Sequence, residues 1–126
     1  MEPAYDEAVP EVLNLTPHVV RLIGDSATVE VAPAGPPARL VLLPDRAHGA
    51  VRIGPLLVPL KRTAASSNVD GLPDARPGVL LIVARPVAEA LPDRDDLFYP
   101  HDTVRDADGV VVGCRSLARP VVAAGD

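Results

Sequence analysis

Arg62, Arg85, Arg94, Arg105 and Arg115, with Asp96, Tyr99 and His101, are the side chains in this sequence whose types and spacing best suit the capture of a small anion. A guanidinium presents a rigid fork of N–H donors that matches phosphate or carboxylate in a bidentate way. Arg85 stands where the apolar run GVLLIVA (Gly78–Ala84) gives way to Pro86 and residues that tolerate helix. It is therefore expected at the C-terminal end of a strand and the start of a helix, where free backbone N–H groups and the helix dipole favour negative charge. Arg94, Arg105 and Arg115 follow in the next segments and could converge there, Arg62 ends an earlier strand, and Tyr99 offers a face on which a base can stack. The competing reading is that each arginine pairs with a nearby aspartate, such as Asp95, Asp102 or Asp106, in a structural salt bridge.

Other chemistry is thinner. Asp95, Asp96 and His101 supply the carboxylates and imidazole of a hydrolase reading, set against a solvated acidic loop. His18, His48 and His101 lie in three separate segments at no metal-binding spacing, so no metal is expected. Cys114 alternates with Val110 and Val112, the position of a buried thiol rather than a nucleophile. Asn68 to Gly71 is either a lid or a connector. The chain has no glycine-rich phosphate loop, GxSxG or HExxH, and no cofactor is expected.

Composition narrows the elements that must position these groups. A net charge of −5 argues against binding to DNA or RNA, where many phosphates need neutralising. The acidic N-terminus is not a signal peptide, and no apolar run of about eighteen residues is present to span a bilayer, so a cytoplasmic protein without a membrane partner is expected. Fifteen prolines and nine glycines exclude long helices, and an aromatic content of 2% leaves a core of Val, Leu, Ile and Ala. One domain over residues 11–120 is expected between mobile tails, 1–10 and 121–126.

The predicted fold is α+β and mostly β, a small mixed or antiparallel sheet of short strands carrying one short helix over about 86–91 and a C-terminal hairpin. Glu11–Ile23 reads as an edge strand bent at Pro17. A turn at Gly24–Ser26 precedes a half-exposed strand, Ala27–Ala32, and Ala38–Leu43 is a compact apolar strand. Pro44–Gly49 reads as a loop, Val51–Ile53 and Leu56–Leu60 as a hairpin about Gly54-Pro55, and Thr63–Gly78 as a long loop. Gly78–Ala84 has the continuous apolar pattern of a central strand covered on both faces. In the last hairpin, a four-residue turn Asp106–Gly109 followed by a bulge sets Val104 opposite Val112, and a two-residue Asp108-Gly109 turn would set Arg105 there.

LNLTPH (Leu13–His18), GLP (Gly71–Pro73) and IVARPVAEALPDRDDLFYPHDTVRDADGVVVGCRSL (Ile82–Leu117) resemble a family of small uncharacterised proteins of bacteriophages and actinobacterial genomes. In size and β-rich layout the chain is also similar to phage anti-defence sponge proteins that sequester cyclic nucleotide signals, such as those acting against the Thoeris system. Together with the arginines, this points first to a non-enzymatic, homo-oligomeric protein holding a phosphorylated nucleotide-like ligand. The alternative is a structural protein, such as a phage accessory component, assembling through exposed strand edges.

Overall fold

The computed structural model describes residues 9–63 and 65–121; of the expected tails at 1–10 and 121–126, residues 1–8 and 122–126 lie outside the described residues. Strands form at Glu11–Asn14 (β1), Val20–Ile23 (β2), Thr28–Val31 (β3), Arg39–Leu42 (β4), Arg46–Ile53 (β5), Leu56–Arg62 (β6), Ala65–Asp70 (β7) and Val79–Ile82 (β8). Helix α1, Arg85–Ala90, follows β8, and β9 (Leu97–Arg105) and β10 (Val111–Ala118) complete the fold. It is α+β and mostly β. No helix among the described residues is long and apolar enough to cross a membrane.

Six strands form one mixed sheet in the order β1-β8-β9-β10-β2-β3, while β4 pairs with β7 and β5 with β6. β8 lies parallel to β1 and to β9, β10 parallel to β2, and the other pairs in the sheet are antiparallel. β1 and β3 are the two edges, yet they meet at one end. Asn14 makes a bridge with Pro33, its carbonyl accepts from the Ala34 N–H at 2.8 Å, and its side-chain Nδ2 donates to the Val31 carbonyl at 2.8 Å. The sheet is thus drawn toward a barrel, which removes part of two exposed edges.

Both faces of this curled sheet are packed. Outside, Leu81, Val83, Leu97 and Tyr99 pack with Val87 and Ala88 of α1 and with Ala38, Leu40 and Val69 of the β4–β7 layer. Inside, Ile82, Val20 and Cys114 form a second cluster with Val12, Leu22, Leu80 and Leu117. β8 supplies both clusters because successive side chains point to opposite faces. Pro86 fits the first turn of α1, where its missing N–H costs no helical bond.

The structure corrects several boundaries. Glu11–Ile23 is two strands in different parts of the sheet, because the polar turn at Asn14–Val19 redirects the chain. Pro44–Gly49 is no simple loop: β5 begins at Arg46, and Gly49, at φ +80°, takes up the register shift between Ala47 and Ala50 as a bulge. Thr63–Gly78 contains β7, whose Val69 lies opposite Leu40 and packs on the core, so tertiary pairing overrides polar composition. In the last hairpin the Gly109 N–H bonds to the Asp106 carbonyl at 3.0 Å, as the four-residue turn requires, but neither expected register occurs. Arg105 faces Val111 and Val104 faces Gly113, which leaves Val112 as the extra residue. Gly113 is needed there: a Cβ would lie 2.9 Å from the Arg21 carbonyl oxygen and 2.6 Å from Ile23 Cδ1.

Candidate functional site

The arginines expected to converge are held apart. β9 spans about 26 Å at ordinary strand rise, with Arg94 and Asp96 before its start and Arg105 at its end. Arg94 grips Asp96 through two hydrogen bonds of 2.8 Å and also donates to the Pro73 carbonyl at 3.0 Å, tying the GLP loop to the turn before β9. That bond holds the Asp96 carboxyl below its ordinary pKa and raises that of Arg94. Arg105 donates to the Gly109 carbonyl of its own turn at 2.7 Å. Arg115 is exposed on β10, and Arg62, at the end of β6, donates to His48 Nδ1 at 3.1 Å. For Arg94, the salt-bridge reading is what the geometry realises.

Three of the expected groups do come together. The Arg85 guanidinium lies 5.3 Å from the centre of the Tyr99 ring and donates to Glu89 at 2.9 Å. Glu89 first, and then Tyr99, raises the Arg85 pKa further. His101 meets Tyr99 edge-on, with ring centres 6.1 Å apart. Tyr99 is buried, so it serves the core as well as Arg85. Asp102, next along β9, has φ +52° and accepts from Ser116 Oγ at 2.6 Å. Its other oxygen lies 3.9 Å from His101 Nε2. Asp102 therefore stands between the hydroxyl and the imidazole, the wrong order for a base-activated serine. Asp96 and His101 are five residues apart on extended chain, about 16 Å, so the hydrolase trio is not assembled. Among the described residues no three His, Cys, Asp or Glu side chains gather as metal ligands.

Asn14 and Thr16, in the LNLTPH motif, are the buried polar pair that the sequence reading missed. Asn14 donates to the His18 and Val31 carbonyls, and its Oδ1 accepts from the Thr16 N–H at 2.9 Å and the Thr16 hydroxyl at 2.7 Å. The signal was an amide between Leu13 and Leu15, since a polar side chain in an apolar run is buried only when its bonds are made.

The most exposed apolar feature is the β5–β6 hairpin, an arm about 23 Å long. Every residue of β5, and every residue of β6 except Val58, is exposed, and the two strands pack substantially on no other element. The pairing Val51↔Val58 and Ile53↔Leu56 puts these four side chains and Leu60 on one face. Ile53, Leu56 and Leu57 are 60%, 64% and 57% exposed. The arm is also cationic: Arg46 lies directly opposite Arg62 and Ala47 opposite Lys61, with Arg52 near the tip. No carboxylate among the described residues lies within ion-pair distance of these four cations. Comparison of the chain with protein-family models, with curated proteins and with solved structures finds no match.

Proposed function

We propose that this chain is a non-enzymatic interaction protein that assembles through the β5–β6 arm with an acidic protein surface. One observation carries this reading: an isolated hairpin whose aliphatic face is uncovered and whose cations have no carboxylate partner among the described residues. A two-stranded hairpin alone is marginal in water, and a contiguous apolar patch on the order of 500 Å² is at the upper end of what monomers expose. Cations without a carboxylate partner among the described residues suit a protein surface that supplies carboxylates. A photo-crosslinking residue in place of Ile53 should give protein adducts in host lysate, and these should disappear with Arg46→Glu plus Lys61→Glu. Adduct formation no greater than from the same residue at the exposed Val29 of β3 would overturn the reading.

A second reading, a holder of a phosphorylated nucleotide-like ligand, is supported by the grouping of Arg85, Tyr99 and His101. Native mass spectrometry of the protein from host lysate should then show a bound small molecule that Arg85→Ala releases; retention by that variant would exclude this site.

A further inference from the structure

We infer that two copies of this chain exchange arms, each β5–β6 hairpin laying its aliphatic face in an acidic groove on the body of the other copy. The inference rests on the arm being an interaction element and adds the identity of its partner.

Charge selects the arrangement. Four of the twelve Lys and Arg and none of the seventeen Asp and Glu lie within Arg46–Arg62, so the arm carries four positive charges. The rest of the chain, with eight cations against seventeen anions, carries nine negative charges. Two arms packed face to face would bring like charges together, adding to the repulsion already present between Arg46 and Arg62 across the ladder. A nucleic acid or an anionic bilayer would attract the arm but repel the body. A second copy offers the arm an acidic body and offers its own arm in return.

Two grooves on the body are candidates, and their rims differ. The groove beside α1, lined by Pro17, Leu40, Leu42, Pro86 and Val87, also carries Arg39 and follows directly on Arg85, so a cationic arm is disfavoured there. The other, about 640 Å³ at the start of β8 and β9, is lined by Pro77, Val79, Leu80 and Phe98 together with Asp95, Asp96 and Arg76, and so sets two carboxylates against one guanidinium. Asp74 and Asp93 are exposed nearby in sequence, and Asp74 is close enough to act on Arg94 electrostatically. Arg94 is committed to Asp96, and Arg76 lies 3.9 Å from Glu11. Asp74, Asp93 and Asp95 have no cation within ion-pair distance among the described residues. This groove offers the arm apolar side chains beside the unpaired Asp95, with Asp74 and Asp93 close to it in sequence.

Area points the same way. Reciprocal exchange doubles the area that one arm buries, and so comes nearer than a single contact to what a stable dimer needs. The exchange is isologous and therefore closes at two copies.

The test is sedimentation velocity on the purified full chain. Wild type should be a dimer at about 0.1 M salt and dissociate at about 1 M, where the screening length falls from about 10 Å to about 3 Å. Lys61→Glu/Arg62→Glu and Asp74→Lys/Asp95→Lys should each weaken self-association at least tenfold. Mixing the two variants should restore a dimer, because the wild-type arm then meets the wild-type groove and the two substituted pairs of charges meet their opposites. A dimer that persists in both variants, or variants that stay apart on mixing, would overturn the exchange. A monomeric wild type that still gives Ile53 crosslinks in lysate would overturn the homotypic partner and leave the arm reading intact. A monomer with no crosslinks would remove both, and sedimentation of the chain with DNA or with anionic vesicles would overturn the choice of a protein partner.

Discussion

β8 and the β5–β6 arm are both rich in aliphatic residues, and the chain treats them in opposite ways. VLLI of β8 is flanked by strands on both sides and packed on both faces, with Leu81 and Ile82 essentially inaccessible. LLVPL in β6 has one hairpin partner and an uncovered face. The difference lies in what the neighbouring sequence provides. β8 leads into α1, whose Val87 and Ala88 fold back over it, whereas β5 and β6 are joined by a turn and bounded by Pro44 and Thr63, so they satisfy their ladder locally and are released from the core. Hairpin bonding alone forms a strand; burial requires a second layer.

The comparison breaks or sharpens at defined positions. Leu81→Ala should cost most, about 3–4 kcal/mol in denaturant unfolding, because the cavity lies between two packed layers. Asn14→Ala should follow at about 2–4 kcal/mol, since it leaves several buried bonding groups without partners at the point where β1 meets β3. Asp96→Asn should cost about 1–2 kcal/mol at neutral pH by weakening the doubly bonded pair with Arg94. Because the folded-state pKa of Asp96 is depressed, this stability is present above the ordinary carboxylate range and is lost as pH falls through the folded value, so the variant's stability should fall less in acid than that of wild type. Ile53→Ser, measured where the chain is monomeric, should change stability by no more than about 0.5 kcal/mol. A large effect there would mean that the arm is covered by its own chain and would end the contrast with β8.

Much of the fold was legible because its cues are local. The unbroken GVLLIVA run, Pro86 at the helix start and the Asp106–Gly109 turn each mark structure within a few residues. What was not legible depends on distant partners. β7 reads as loop because Ser66, Ser67 and Asn68 have poor strand propensity, and only Leu40 across the ladder makes Val69 a core residue. The division of Glu11–Ile23 into two strands depends on Asn14 reaching Val31, and the final register depends on β2 crowding Gly113. The expected convergence of the arginines was lost in the same way: proximity along the chain placed Arg85, Arg94 and Arg105 together, but an extended strand carried them apart, while Arg85, Tyr99 and His101 did meet. The cations of the arm stand in the sequence as Arg46, Arg52, Lys61 and Arg62, yet the lack of a carboxylate partner for them among the described residues emerges only when the ladder aligns them.

The strand order has a consequence for synthesis. β1, β2 and β3 are made first but take their places on either side of β8, β9 and β10, which are made last. β1 gains its neighbour β8 only after roughly fifty residues beyond β3, and β2 waits for β10 while the ribosome adds roughly ninety, on the order of 5–20 seconds at ordinary elongation rates. Val20 and Leu22 wait uncovered through that interval and Val12 through its first part, and in this period the nascent chain is most in need of a chaperone.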